Sequence, residues 1–152
     1  MPLPYSPLHY FIAGLLVSEG SFGKKKHRNP GRFTFTNTDP KLVKIVYDFL
    51  VKELNIPKNL IKIYITYNQE ITSIPKKTLK EYWIKTLNAP QETIKIYPYK
   101  RKVKQIRKRA KYGICQIRIN NIKTRKKIEN FIKETLTKLQ QQGVGEGHRE
   151  SP

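Results

Sequence analysis

Acidic residues are scarce in this sequence of 152 residues, and cysteine is almost absent. Only 11 side chains are Asp or Glu, against 31 that are Lys or Arg, which gives a formal net charge of +20. The single cysteine, Cys115, excludes an internal disulfide, and the three histidines, His9, His27 and His148, lack the spacing of a zinc site. We therefore expect neither a disulfide framework nor a structural metal.

Long apolar runs are missing as well. No stretch approaches the roughly 20 residues that cross a bilayer, and the N-terminal sequence MPLPYSP lacks the basic flank of a signal peptide. The composition is 38% hydrophobic, enough for a core of ordinary size. We expect one folded domain over residues 1–139, soluble and cytoplasmic, with no membrane partner. Residues 140–152 are rich in Gly and Gln without an apolar period, so a disordered tail is expected there.

The positive charge is concentrated in the part of the chain that is expected to fold. Residues 93–127 contain fourteen Lys or Arg and no acid. A run of charge is often only a solvated face, but an excess of this size favours a polyanionic partner. Nucleic acid is favoured over a membrane surface, because no segment combines this charge with a long apolar helical face.

Hydrophobic periodicity predicts four amphipathic helices. They are expected over approximately residues 6–20, 39–54, 75–87 and 121–139. The first begins with a cap residue and a proline, Ser6 and Pro7, and ends at Gly20, which suits a left-handed C-terminal cap. The last is expected to turn an apolar stripe inward as far as Leu136 and Leu139.

Five segments between the helices have a period of two residues, which is typical of strands. They cover residues 21–26, 32–37, 60–67, 93–97 and 112–120. In the second, third and fifth segments, apolar side chains alternate with basic and hydrogen-bonding ones. The pattern predicts an α+β fold with a twisted antiparallel sheet, helices on one face, and a polar, positively charged face on which DNA or RNA can lie.

The segment Phe11–Phe22, FIAGLLVSEGSF, points to a more specific class. One stripe of the first helix carries small residues and their neighbours: Tyr10, Ala13, Gly14, Val17 and Ser18. The larger apolar residues are expected to point largely to the other side: Phe11, Ile12, Leu15 and Leu16. Small residues at this spacing let another helix approach closely, either from within the chain or from a second copy.

This segment resembles the signature of the LAGLIDADG homing endonucleases, since the residues from Ile12 to Gly20 fall in order on its nine positions. An acid-Gly-Ser-Phe continuation into a strand is typical of that family, as is a hairpin that ends in FTNTD and leads into a helix. The resemblance covers residues 5–139 in element order. It implies an αββαββα core with one extra helix, Pro75–Leu87. With one motif copy, it also implies a C2 homodimer through the small-residue stripe.

The resemblance further implies a catalytic site. Glu19 would bind Mg²⁺ (or Mn²⁺), with the backbone carbonyl of Ser18 as a further ligand. A carboxylate in the last helical turn is unfavourable with the helix dipole, and a bound cation would compensate it; a solvated glutamate is the alternative. Asn37 matches a position that orders active-site water, and an Asx turn that caps the second helix is the alternative.

The implied partner is double-stranded DNA with a long, partly palindromic site, cleaved by metal-assisted hydrolysis. The expected DNA contacts lie on the strands and in two basic segments: Lys24, Lys25, Lys26, Arg28, Arg32, Thr34, Thr36, Lys62, Tyr64, Thr66, Arg101, Lys102, Lys104, Arg107, Arg109, Gln116, Arg118 and Lys123. The family often has a basic residue just after the last strand, where Asn120 stands here, with Arg118 and Lys123 nearby. A non-cleaving DNA-binding regulator on the same fold and an RNA-binding maturase are the alternatives.

Overall fold

The computed structural model of this protein describes residues 6–22, 31–68, 74–99 and 111–150. Its helices and strands are, in chain order, α1 (Pro7–Glu19), β1 (Gly20–Phe22), β2 (Arg32–Asn37), α2 (Pro40–Lys52), β3 (Lys62–Asn68), α3 (Lys76–Leu87), β4 (Ile94–Tyr99), β5 (Ile114–Asn120) and α4 (Ile122–Glu150). Single turns of 3-10 helix, Lys58–Leu60 and Gln91–Thr93, precede β3 and β4. The predicted α+β class is confirmed.

The strands form one mixed sheet of five strands in the order β1-β2-β5-β3-β4. Neighbouring strands run antiparallel except β3 and β4, which are parallel. The prediction of an antiparallel sheet is therefore wrong at this edge. The reason is the inserted helix: α3 lies between β3 and β4 in the chain, and a helical crossover returns the chain to the starting end of the preceding strand.

One face of the sheet is buried and the other is open. The buried face consists of alternate strand residues, which are Phe33, Phe35, Ile63, Ile65, Ile94, Ile96, Cys115, Ile117 and Ile119. The register aligns them, since Phe35 lies opposite Ile117 and Ile117 lies opposite Ile63. All four helices contribute buried residues to the same core cluster, so the helices cover this one face.

Helices α1 and α2 begin at the predicted residues, but the end of α1 differs from the prediction. Ser6 is the N-cap of α1, and the Asp39 side chain caps α2 by accepting a hydrogen bond from the Lys41 amide at 2.9 Å. Gly20 is extended, with φ −84° and ψ 156°, and begins β1, so the left-handed cap predicted for it is wrong. Glycine is needed there because an added Cβ would clash with the carbonyl oxygen of Leu16.

Helix α4 is longer than the sequence indicates. It continues to Glu150, through most of the segment for which disorder is predicted. The segment contains no proline before Pro152, so no residue in it blocks the helical hydrogen bonds, although its glycines disfavour helix. Leu136 and Leu139 are 40% and 50% exposed, so the prediction that they face the core is wrong. The buried stripe of α4 ends at Thr135. None of the described helices is long and apolar enough to cross a membrane.

Candidate nucleic-acid interface and adjoining acidic site

Glu19 and Asn37 lie side by side at one end of the sheet. Glu19 is the last residue of α1, and Asn37 is the last residue of β2. Because β1 follows α1 directly and Gly20 pairs with Phe35, the antiparallel register brings the two ends together. The side-chain amide nitrogen of Asn37 donates a hydrogen bond to Glu19 Oε2. The structure thus joins the two residues that the sequence predicts as catalytic, and their role stays a prediction.

Asn37 also forms the turn that the sequence offers as its alternative role. Its Oδ1 accepts a hydrogen bond from the Asp39 backbone amide at 2.8 Å. The two roles use different atoms of one amide group, so the Asx turn and the bond to Glu19 exist together. Because the turn fixes the amide group, Asn37 holds the Glu19 carboxylate in one orientation.

The electrostatic position of Glu19 is unusual for this basic chain. The carboxylate is exposed at the C-terminal end of α1, whose last turn has no basic residue. Within the described ranges it forms no ion pair. A carboxylate at this end of a helix is destabilised by the helix dipole. The hydrogen bond from Asn37 relieves part of this cost, and a bound cation would relieve more.

The residues around Glu19 fit a magnesium ion in part. Mg²⁺ is usually bound through one or two carboxylates and keeps several waters. Glu19 supplies one carboxylate, and Ser18 lies in the last helical turn, where carbonyl oxygens lack helical donors. Among the described residues, no three His, Cys, Asp or Glu side chains form a metal-binding group. Glu19 is thus the one carboxylate that the predicted site draws from this chain.

The open face of the sheet carries a connected polar network. Gln116 Nε2 donates to Thr36 Oγ1 at 3.4 Å, and Gln116 Oε1 accepts from Arg118 Nε at 3.1 Å and Nη2 at 2.6 Å. The Arg118 guanidinium lies over the Tyr64 ring, 4.3 Å from its centroid. Four predicted contact residues on three adjacent strands are thereby held in fixed directions.

Other predicted residues extend this face. Thr34 and Lys62 lie opposite Arg118 on its two sides, and Arg32 Nε donates to Asn120 Oδ1 at 3.2 Å. No Asp or Glu occurs in any strand of the described sheet. We call this surface the open face and define it by Arg32, Thr34, Thr36, Lys62, Tyr64, Thr66, Lys95, Tyr97, Gln116 and Arg118. Its charged residues are all cationic.

Two residues of the open face were missed among the predicted contacts. Lys95 and Tyr97 are exposed on β4, where the alternate residues Ile94 and Ile96 are buried. The Tyr97 ring stacks on Tyr64, with centroids 5.9 Å apart and an angle of 13° between the rings. The signal that could have found them is the period of two residues in the predicted strand over 93–97.

Some predicted DNA contacts lie away from the acidic site, and others lie outside the described residues. Arg118 lies opposite Thr34, three residues along β2 from Asn37, which is about 10 Å at the usual strand rise. Lys123 is exposed near the start of α4, beyond the end of β5. Nine contacts lie outside the described residues: Lys24, Lys25, Lys26, Arg28, Arg101, Lys102, Lys104, Arg107 and Arg109.

The small-residue stripe of α1 is only partly available to another helix. Ala13 is 1% exposed and belongs to the core of its own chain, so the prediction that it lies in a dimer interface is wrong. Gly14 and Ser18 are exposed, Val17 is 55% exposed and Tyr10 is half-buried. Ile12 and Leu16 are fully buried as expected. The helical period places Ala13 on their side of the helix.

Phe11 differs from the prediction in the opposite direction. It is 47% exposed, as is Leu8 one turn away. We call this surface the outer face of α1 and define it by Leu8, Phe11, Gly14, Val17 and Ser18. The face has no charged residue, and a Cβ added at Gly14 would meet nothing within 4 Å. Surface helices normally turn polar residues outward, and exposed apolar patches mark sites of association.

Cysteine chemistry is excluded by burial. Cys115 is fully buried, and burial raises the pKa of its thiol well above the usual range. The reactive thiolate is therefore not formed near neutral pH. Cys115 acts as an apolar residue of the buried face, and the candidate chemistry is confined to oxygen and nitrogen groups.

No protein-family model, no curated protein and no solved structure matches this chain. The class that the fold defines is an α+β protein with helices on one face of a mixed sheet and a cationic open face. The resemblance to LAGLIDADG endonucleases depends on the residues of α1 and the elements that follow it, and it stays a prediction.

Proposed function

We propose that this protein is a LAGLIDADG-type DNA endonuclease. It acts as a homodimer and cleaves double-stranded DNA at a long, partly palindromic site by hydrolysis of phosphodiester bonds. The observation that carries this proposal is the hydrogen-bonded pair of Glu19 and Asn37 at the end of a sheet whose open face has no acid. Glu19 is negative, as phosphate is, so it would repel the DNA backbone. A carboxylate beside a surface that binds a polyanion is therefore better suited to binding a metal than to binding DNA.

The open face supports recognition of bases. The major groove of DNA admits a β-ribbon, and Arg and Gln side chains are common readers of its base edges. Gln116 and Tyr64 hold the Arg118 guanidinium from two sides. Less conformational entropy is lost when such a preorganised side chain binds its target. Thr34, Thr36 and Thr66 offer further hydrogen-bonding groups, and Lys62 offers a cation.

The acidic site would use its residues for positioning. Glu19 provides the carboxylate that would hold Mg²⁺ or Mn²⁺, together with the carbonyl of Ser18, and Asn37 fixes the orientation of that carboxylate. When bound, the metal supplies charge stabilisation of the phosphate and a lower pKa of a bound water. Asn37 lies in contact with Glu19 and would orient water through its amide group.

The outer face of α1 supports the homodimer. Leu8, Phe11 and Val17 are each about half exposed and have no charged neighbour on that face. A C2 contact between two copies of this face would bury these side chains against each other. Glu19 directly follows Ser18 of the same face, so the dimer would bring two carboxylates near one another. This arrangement would supply a pair of carboxylates, one Glu19 from each chain.

The proposal is tested by exposing purified protein and MgCl₂ to a randomised double-stranded DNA library and sequencing the cut ends. We expect cleavage at a two-fold symmetric site, and no cleavage in EDTA. Glu19→Gln should abolish cleavage and leave DNA binding intact or tighter, since a charge that repels phosphate is removed. Glu81→Gln, which changes an exposed acid on α3, should cleave as the wild type does.

The outcomes separate the candidate functions. Unchanged cleavage by Glu19→Gln would contradict the assignment of the acidic site. Sequence-specific binding of the wild type without cleavage would replace the endonuclease by a DNA-binding regulator on the same fold. Tighter binding to RNA than to DNA of the same sequence would favour the maturase alternative.

A further inference from the structure

A row of planar side chains crosses the open face from β5 through β3 to β4. The Arg118 guanidinium covers the Tyr64 ring at 4.3 Å, and the Tyr64 ring stacks on Tyr97 at 5.9 Å. Gln116 fixes Arg118 at the other end of the row by two hydrogen bonds. Because every member except the last is held on both sides, the row is a preorganised surface that ends at Tyr97.

Tyr97 remains 45% exposed after its stack with Tyr64. Two further cations of the open face are exposed: Lys95, two residues from Tyr97 on β4, and Lys62 on β3. Proteins bind single-stranded nucleic acid by exposed aromatic rings that lie among cationic side chains. The ring stacks on a base, while the cations contact the phosphates on either side.

We propose that Tyr97 extends this stacked row by one unpaired base of a DNA strand. A base inside a duplex has both of its π-faces covered by neighbouring bases, so it cannot stack on a tyrosine ring. A base that has left the stack offers a free face. The inference rests on the proposed function only in taking DNA as the polymer, and it requires neither Glu19 nor a metal.

The two halves of the open face then differ in their ligand. The β2–β5 half has Thr34, Thr36 and Gln116, which suit the edges of paired bases. The β3–β4 half has the two stacked tyrosines, Tyr64 and Tyr97, which suit the face of an unpaired base. The parallel pairing of β4 with β3 places Tyr97 next to Thr66 in register and within stacking distance of Tyr64.

The test compares two single-stranded DNA oligomers of equal length, one with bases and one fully abasic, by fluorescence anisotropy in EDTA. The two oligomers have the same phosphate charge, so their difference in affinity measures contact with bases. We expect the wild type to bind the base-bearing oligomer more tightly. Tyr97→Ala should weaken binding of that oligomer by about 5- to 100-fold and leave binding of the abasic oligomer unchanged.

Two variants serve as matched controls. Tyr97→Phe keeps the aromatic face and should bind both oligomers as the wild type does. Lys95→Gln removes a cation from the same strand and face, so it should weaken binding of both oligomers by the same factor. Circular dichroism and thermal melting should show that the variants fold, as expected for exposed side chains.

Equal wild-type affinity for the two oligomers would overturn the inference, as would an equal loss on both for Tyr97→Ala. A Tyr97→Phe variant as weak as Tyr97→Ala would overturn it too, and tighter binding of the same sequence as RNA would contradict DNA as the polymer. The result is independent of cleavage. A protein that never cuts DNA can pass this test, and an active endonuclease can fail it.

Discussion

The open face of the sheet and the outer face of α1 are both exposed, and their chemistry is opposite. The open face has four cationic side chains on its strands, Arg32, Lys62, Lys95 and Arg118, and no acid. The outer face of α1 has no charge at all, and its apolar side chains are about half exposed. Within the part of the chain that the structure describes, the open face therefore lacks counter-charge, and the outer face of α1 lacks an apolar partner.

The difference arises from how sequence period acts in the two elements. In β2, β3 and β5, alternation by two residues sends apolar side chains to the core and polar ones to the open face. In α1, the residues from Pro7 to Ser18 are nearly all apolar, so burial of one side leaves the other side apolar as well. A helix of this kind is normally buried all round.

The largest expected effect that distinguishes the two faces is that of salt. With about six phosphate contacts, DNA affinity should fall about 10³-fold between about 50 and 200 mM salt, because each contact releases counterions. Association through the outer face of α1 buries apolar surface and should change by only a few-fold over the same range. Anisotropy and sedimentation measure the two in one buffer series. Parallel salt dependence of both would remove the distinction.

A charge placed on the outer face of α1 should separate the dimer. Phe11→Asp would bury a carboxylate without a partner in the interface, which costs several kcal/mol, or about 10²-fold or more in the dissociation constant. The isolated chain should keep its stability to within about 0.5 kcal/mol, since Phe11 is exposed in it. Sedimentation velocity measures the mass.

Tyr97→Asp is the reciprocal control for that experiment. It places the same carboxylate on an exposed aromatic position of the open face, so it should weaken DNA binding and leave the dimer intact. A dimeric Phe11→Asp variant, or a wild type that is monomeric both with and without DNA, would contradict the pairing of α1 helices.

Arg118 should contribute to sequence preference more than to overall affinity. Arg118→Ala should relax the preference at one base pair of each half-site by about 1 to 3 kcal/mol. Arg118→Lys keeps the charge but loses the planar group that stacks on Tyr64, so it should relax the preference equally and keep the salt dependence. Lys102→Ala, which changes one of the many basic residues in the segment 100–111, should weaken binding to all sequences alike. Equal losses on matched and mismatched sites for all three variants would show that the open face does not read bases.

The smallest effect concerns Gly14. In the isolated chain, Gly14→Ala should raise stability by about 0.5 to 1 kcal/mol, because alanine favours helix and the added Cβ meets nothing within 4 Å. If two α1 helices approach closely at Gly14, the same Cβ should weaken association. Thermal melting at low protein concentration measures the gain in chain stability, and sedimentation at high concentration measures the loss of association. A stabilised chain with unchanged association would place the close approach elsewhere.

The sequence predicts much of this structure because its signals are local. Ser6 and Asp39 mark helix starts, and the alternation in residues 32–37 identifies β2 to the residue. The Asx turn offered as one role of Asn37 is formed as well, with its Oδ1 accepting from the Asp39 amide. Each of these depends on a few adjacent residues.

The errors arise where packing between distant elements decides. The parallel pairing of β3 and β4 results from the crossover through α3. The alternation of residues in β4 does not indicate whether this strand runs parallel or antiparallel to its neighbour. Ala13 and Phe11 are on opposite sides from those predicted because an apolar helix gives no contrast from which to assign its faces. Leu136 and Leu139 have the right period, but the core ends before them.

The measurement that tests the division between the two sides of the sheet most directly is lysine acetylation with and without double-stranded DNA, read residue by residue by mass spectrometry. Lys62 and Lys95 are exposed on the open face, whereas Lys85 on α3 and Lys133 on α4 are exposed on the helices. We predict that DNA protects Lys62 and Lys95 and leaves Lys85 and Lys133 reactive. Protection of Lys85 and Lys133 with unchanged reactivity of Lys62 and Lys95 would contradict the assignment of the open face as the nucleic-acid interface.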